Sequence, residues 1–426
     1  MNCKMGKKVV LMYHRVNDTS QDYNRITVNE KNFKAQMSFL KDNYKVLSLE
    51  DMLTFEGKED VVALTFDDGF ADFYANALPV LEEMNLPATI FVTTGKMDTV
   101  EELWTTEIIR LLYMNDSERD EICIEFEGKE IWLSIASLEQ RASAYRCIRQ
   151  IMMGMSGSEI NKLMAKLRNQ LAMDDRGRDE YTFLTEEQCR KLGEHSLVTV
   201  GVHTVNHISM GNVDEAVLEE EVKSSIGRLE RILGKKVEYF AYPFGGKCDY
   251  SKKVIELLKQ EGIRAAFTTH ASDYQKDVHD IYEIPRVYVG NWDVVRLKKC
   301  LELHFKSEKG SPDEMNRVFD VYMGNLADDT KLWKTDEPII IWGTGIRGRR
   351  IRMWLTQNGM AGRILAFADN NSDLWDSEIE GIRVWSPTKV ERHREAIVIV
   401  YNTFGGKILK QLIDMGLEKL HWIICV

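Results

Sequence analysis

What most restricts the fold of this chain is a rhythm of short apolar, β-branched runs separated by amphipathic stretches. The runs cover residues 9–13, 61–66, 88–92, 197–202, 237–242, 264–268 and 284–289. Runs this continuous suit strands buried on both faces, and the helical period of residues 75–84 and 252–261 suits crossover helices between them. Repeated βα units build a parallel barrel or a doubly wound sheet. One interval is too long for a single unit: about 100 residues separate the third run from the fourth, where a barrel unit needs about 30. Residues 101–114 and 137–171 within it read as helical, and 122–126 with 130–132 read as a hairpin around Gly128. The expectation is a mainly helical insertion over about 100–184. It ends at Thr185-Glu186-Glu187-Gln188, a capping box before the next helix.

After the last run the apolar period fades. Lys309-Gly310-Ser311-Pro312 and Asp328-Asp329-Thr330 mark a linker over 306–336. A second apolar run at 339–342, a glycine-rich turn, a helix and a run at 364–367 then start a βαβ unit. The expected organisation is therefore a barrel domain over 1–305, the linker, and a small α/β domain over 337–426.

Composition excludes several classes of function. Lys and Arg number 56 against 67 Asp and Glu, so the net charge of −11 offers no basic field for nucleic acid or an anionic membrane. Apolar residues at 44% and charged ones at 29% suit a globular protein rather than a disordered one. No apolar run approaches the roughly 18 residues of a spanning helix, and 9–13 is too brief for a signal-peptide core, so the expected location is the cytoplasm. Seven scattered cysteines without a CxxC pair point to reduced thiols.

Four motifs stand at the C-terminal ends of these strands, the edge where barrel enzymes carry their chemistry. Leu64-Thr65-Phe66-Asp67-Asp68-Gly69 places two carboxylates side by side. Neighbouring side chains on a strand point to opposite faces, so one carboxylate can hold a metal while the other takes a proton. Taken alone, Asp-Asp-Gly is as readily a helix cap and turn. Gly201-Val202-His203-Thr204-Val205-Asn206-His207 carries two histidines at i and i+4, a chelating pair if they share one side of a helical turn, with Asp68 as a third ligand. Phe240-Ala241-Tyr242-Pro243-Phe244-Gly245-Gly246 ends another strand in a stiff turn whose N–H groups, notably that of Phe244, can receive an oxyanion. Leu11-Met12-Tyr13-His14 puts a histidine atop the first strand.

Together these motifs make the chain resemble the NodB-homology polysaccharide deacetylases, carbohydrate esterase family 4. The resemblance runs from residue 7 to about 300, and TFDDGFADFYANALPVLEEMNLPATIFV and VGVHTVNH carry it most specifically. It implies a distorted (β/α) barrel of about seven strands. It also implies Asp67 as catalytic base, Asp68, His203 and His207 as ligands of a divalent metal (zinc first, with cobalt, nickel or iron fitting the same donors), and His14 as general acid. The family's LxxH motif normally comes late in the chain. Its match at Leu11–His14 resembles the circularly permuted order of the poly-N-acetylglucosamine deacetylases.

Two departures from the pattern follow. Position 241 of the RxPYG motif is Ala rather than Arg, and no DxxDW motif is evident. Arg286 is the candidate to stand beside Asp67 in place of the lost Arg. Trp292 is the candidate wall of the acetyl pocket, with Tyr242 and Pro243 as further substrate contacts. The implied activity is metal-assisted hydrolysis of an N-acetyl group on an acetamido sugar, in a polysaccharide or in a nucleotide- or lipid-linked precursor. Two other readings compete: a catalytically weak carbohydrate-binding protein, and a ligand-binding C-terminal module for which the barrel is a scaffold. In that module Gly343, Gly345 and Gly348 follow a strand and open a helix, and Asp369 ends the next strand. This is the setting of a dinucleotide fingerprint. The module resembles small Rossmann-like domains attached to sugar-modifying enzymes, which implies a nucleotide or nucleotide-sugar ligand.

Overall fold

The computed structural model describes residues 6–19, 22, 24–115, 117–126, 128–211, 213–306, 332, 335–401, 411, 415 and 422–425. It divides into two compact units, Met1–Leu111 with Met155–Glu308, and Leu112–Gly154 with Lys309–Val426.

The first unit is built on a parallel sheet. Strand β1 (Lys8–Tyr13) pairs along its whole length with β2 (Val61–Phe66), which continues to β3 (Ala88–Val92) and β4 (Val198–Val202). From there the order runs to β5 (Tyr239–Ala241) and β6 (Ala265–Phe267), while β7 (Val287–Tyr288) takes the other edge of β1. A short strand, Lys45–Leu47, joins the start of β2. A parallel bridge between Phe267 and Ile284, just ahead of β7, draws the two ends of the sheet together. The result is the expected distorted barrel. Every residue of β1, β2 and β3 is buried, which is why those strands, apart from Lys8, Thr65 and Thr89, are apolar rather than alternating.

The amphipathic helices Glu30–Asn43 and Glu215–Leu233 are elements that the apolar runs alone do not announce. The capping box at Thr185 is present in both halves and starts the helix Glu186–Glu194. The stretch 137–171, expected as helix throughout, is two helices, Leu138–Met152 and Gly157–Leu171, each opened by its own capping box at Ser137 and Ser156. The break falls where the chain passes between units, so the insertion expected over 100–184 is divided. Residues 112–154 cluster with the C-terminal part of the chain.

In the second unit, Glu121–Phe126 and Lys129–Ser134 form the expected antiparallel hairpin. A separate six-stranded sheet has β8 (Ile339–Trp342) inside it, flanked by β9 (Ile364–Ala368) and Ile397–Tyr401, both parallel to it. The helix Ile346–Gln357 connects β8 to β9. Most of the expected linker, 307–331 with 333 and 334, lies outside the described residues. Among the described residues no helix is long and apolar enough to cross a membrane. The cysteines at 123, 147, 189, 248 and 300 are free thiols.

Candidate metal and catalytic centre

The two adjacent carboxylates part company as the strand geometry requires. The Asp67 N–H donates to the Tyr13 carbonyl at 3.0 Å, which continues the ladder between β2 and β1 by one residue. Asp68 then turns into the left-handed region at φ +75°, an uncommon place for a residue other than glycine. Asp67 is met by Arg286 in a two-pronged ion pair, Nη1 to Oδ1 at 2.6 Å and Nη2 to Oδ2 at 2.7 Å. Both side chains are sealed from solvent. The guanidinium is fixed in turn by the Thr268 carbonyl at 3.0 Å and the Thr65 hydroxyl at 3.3 Å. Burial pushes the Asp67 carboxyl up, and Arg286, with His203 and His14 adding to it, brings it below its usual value.

Asp68 faces the histidines. Its Oδ1 lies 3.4 Å from His203 Nε2 and 3.2 Å from His207 Nε2, and one donor atom from each of the three residues falls within 4.8 Å of the others. His203 Nδ1 sits 2.8 Å from the Ala241 carbonyl. A carbonyl only accepts, so that nitrogen carries a proton, and in the neutral ring Nε2 presents a lone pair towards Asp68. Asp68 Oδ1 is buried with no hydrogen-bond partner among the described residues. This donor set fits a divalent cation, which removes the repulsion among the lone pairs, and two nitrogens with one oxygen suit zinc and its neighbours.

The HxxxH pair converges, but not on a helical turn as expected. Residues 203–207 form an irregular turn with Thr204 at φ +65° and His207 at φ +53°. The Thr204 hydroxyl accepts the His207 N–H at 3.0 Å, and Trp104 Nε1 donates to the His207 carbonyl at 3.1 Å. Behind the turn stands Glu221, 2% exposed, whose carboxylate accepts from the N–H groups of Val205 and Asn206, both at 2.9 Å, and from Asn206 Nδ2 at 2.7 Å. Neither Trp104 nor Glu221 belongs to a motif legible in the sequence. Glu221 left a readable signal all the same, because it lies on the apolar stripe of its helix with Leu218, Val222, Ser225, Ile226 and Leu229. A charge on such a stripe needs buried partners.

His14 directly follows β1. Its ring lies 6.4 Å from that of Tyr288 and within the electrostatic reach of Asp68, Asp67, Arg286 and His203. Burial lowers its pKa against the pull of the two carboxylates, and its Nδ1 is buried without a partner. Phe244 has a left-handed backbone at φ +60°, and its ring meets His207 edge-on at 4.7 Å. Pro243 is buried beside it. Tyr242 is fully buried, stacked on Tyr250 at 4.3 Å with its hydroxyl donating to the Tyr282 carbonyl, so its side chain serves packing. Trp292 packs edge-on against Tyr288 at 5.8 Å and is 7% exposed.

In the second unit, Gly343 has φ +107°, and a Cβ on Gly348 would fall 1.9 Å from the Gly343 carbonyl oxygen, so both positions require glycine. Gly345 is the N-cap of the helix Ile346–Gln357, which has no side-chain cap. Asp369 turns its carboxylate back onto this loop, accepting from the Thr344 N–H at 2.8 Å and its hydroxyl at 2.6 Å. Its other oxygen accepts from the Asn371 N–H at 3.0 Å. Asp369 is therefore committed to the loop rather than held open for a ribose.

Residues 55–117 and 161–282 match the family model for polysaccharide deacetylase, and residues 335–423 match that described as C2185-like, N-terminal. YxkH of Bacillus subtilis strain 168, by its description a polysaccharide deacetylase, is 22% identical over 292 residues, covering 67% of this chain and 72% of that protein. The poly-beta-1,6-N-acetyl-D-glucosamine N-deacetylase of Staphylococcus aureus strain MSSA476 is 29% identical over 109 residues, which cover 22% of this chain and 38% of that protein. Among solved structures, a polysaccharide deacetylase from Bacillus cereus aligns at a TM-score of 0.46 and 20% identity, over 70% of this chain and 69% of its own. The Streptococcus pyogenes deacetylase PplD in complex with acetate aligns at 0.46 and 19%, over 70% and 100%.

Proposed function

We propose that the barrel domain, which matches the polysaccharide deacetylase family model over residues 55–117 and 161–282, hydrolyses the N-acetyl group of an acetamido sugar to acetate and a free amine, with a divalent metal held by Asp68, His203 and His207. The observation that carries this reading is the division of labour between adjacent carboxylates, Asp68 turned to two histidines and Asp67 locked to Arg286. A divalent cation, zinc first, supplies Lewis acidity to the acetamide carbonyl and acidifies the attacking water.

The chain's own residues do the rest. Asp67 stays ionised at neutral pH through Arg286, and each of its oxygens keeps a lone pair beyond the guanidinium bond with which to take the water's proton. His14 returns a proton to the departing nitrogen, and the Phe244 N–H receives charge developing on the carbonyl oxygen. Trp292 walls the acetyl pocket in this reading, with Pro243 and the backbone of Tyr242 as further substrate contacts. His14 takes the acid's place from the first strand, so the permuted motif order is part of the proposal.

For the second unit we assign a phosphate-bearing ligand, a nucleotide or nucleotide-sugar, to the Gly343–Gly348 turn. An uncapped helix N-terminus and the close approach at Gly348 support it. A linked precursor deacetylated in the cytoplasm follows from that assignment. Acetate release by metal-loaded protein, measured over polymeric, nucleotide-linked and lipid-linked acetamido sugars, is expected for at least one class. Silence across the panel sinks the deacetylase reading. Calorimetry with UDP-sugars and NAD tests the turn, and absence of heat at millimolar ligand leaves it a structural feature.

A further inference from the structure

Two residues in the five that run from His203 to His207 have left-handed backbones, one of them the β-branched Thr204. Such conformations persist only where the surroundings over-determine them. We propose that Glu221 is a positioning residue for the metal centre, holding this turn in the shape that brings both Nε2 atoms onto Asp68. The proposal rests on the metal site described above and extends it to a residue that lies in none of the four strand-end motifs.

The backbone N–H groups of Thr94 and Gly95 donate to the Thr204 and Val205 carbonyls of this turn at 3.0 and 2.8 Å, and among side chains the geometry singles out Glu221. Thr204 Oγ1 and Trp104 Nε1 each make one bond to the turn, and both act on His207. Glu221 makes three, all to Val205 and Asn206 at the centre of the turn between the ligands. Both backbone N–H groups between the two left-handed residues point the same way, into one oxygen of one carboxylate. Asn206 is confined from the far side, since a Cβ on Gly157 would lie 2.4 Å from its Nδ2. The carboxylate is carried by a 19-residue helix with a buried apolar face, so the anchor is itself rigid. No cation partners Glu221 in these contacts, which are all to neutral donors, so the group acts as an acceptor of hydrogen bonds rather than as half of an ion pair.

That distinction sets the experiment. Gln at 221 keeps the reach: its Oε1 can accept both backbone N–H groups, and Asn206 can rotate its amide to accept from Nε2. Asp at 221 keeps the charge and loses the reach by one methylene. Metal affinity is measured on metal-free protein by zinc competition against a chelator, with the cobalt visible spectrum as a second readout of ligand geometry. Loss of an outer partner of a metal ligand costs roughly 10- to 100-fold in affinity, and that loss with an altered cobalt spectrum is expected for E221D and E221A. E221Q is expected to stay near wild type in both readouts. An E221D protein that binds zinc as tightly as E221Q overturns the proposal, and this comparison decides the matter even if E221A does not fold. Wild-type protein that binds no zinc refutes the metal centre itself, a different result from unchanged affinity in the variants.

Discussion

At Asp67 burial raises the carboxyl, while His203, His14 and above all the Arg286 fork bring it below its usual value. Removing the fork in Arg286→Ala leaves a sealed carboxylate with no cation, for which about 3–5 kcal/mol of stability is the expected loss by denaturant unfolding. The carboxyl then rises, so the acidic limb of the kcat/KM profile moves to higher pH. In the wild type the sign is the opposite one. A folded value held below the unfolded one near 3.9 adds stability that is complete above that pH and is lost as pH falls through the folded value. Arg286→Lys keeps the charge without the fork and should fall between. His14→Ala should lower turnover by about 10²–10⁴ while retaining metal, as removal of a general acid does. His270, the competing histidine just past β6 (Ala265–Phe267), lacks the leucine of an LxxH motif, and His270→Ala should stay near wild type because the contact it makes to the Arg286 N–H is through its backbone carbonyl, at 3.0 Å, and survives the substitution. The opposite ranking of the two variants would take the acid away from the first strand.

Among the elements, caps and close approaches set the boundaries. Thr185→Ala removes one half of a capping box that closes the Glu186–Glu194 helix, and about 1 kcal/mol of lost stability is expected by thermal or chemical unfolding. Gly348→Ala drives a methyl group into the Gly343 carbonyl, so the β8 turn cannot close as it stands. The outcome should be a lowered transition for the second unit and unchanged acetate release from polymeric substrate. Loss of release in that variant would tie the turn to the barrel's chemistry. The division of 137–171 into two helices was written locally as well, since Ser156 and Glu159 repeat the capping box of Ser137 and Gln140. The apolar period simply runs on across the break.

For the molecule as a whole, two compact units predict two thermal transitions, only one of which belongs to the unit holding Asp68, His203 and His207. A ligand that binds only the native state adds RT ln(1 + [L]/Kd), about 2.7 kcal/mol at 100-fold excess over Kd. Zinc should therefore raise one transition and leave the other in place. His207→Ala should abolish that shift. A shift of both transitions, or of the one that Gly348→Ala lowers, would put the metal elsewhere.

The strand runs at 61–66 and 88–92 were legible residue for residue, because a strand buried on both faces must be apolar nearly throughout and says so locally. The four motifs at the strand ends were legible for the same reason, each being a short fixed pattern. Sequence alone therefore determined the parallel βα build and put forward Asp67, Asp68, His203 and His207 as candidate site residues. Only the tertiary structure decided what those residues face. Arg286 lies 219 positions from Asp67 and reaches it because Ile284 pairs with Phe267 and β7 with β1. Glu221 and Trp104 came to the histidine turn by packing of a helix and of the segment after β3, and Tyr242 was turned inward by Tyr250 and Tyr282. Residues 112–154 went to the second unit although they interrupt the first. Local pattern fixes which face of an element is apolar, whereas the partner of that face depends on long-range closure of the sheet, and no window of sequence contains both sides of such a contact.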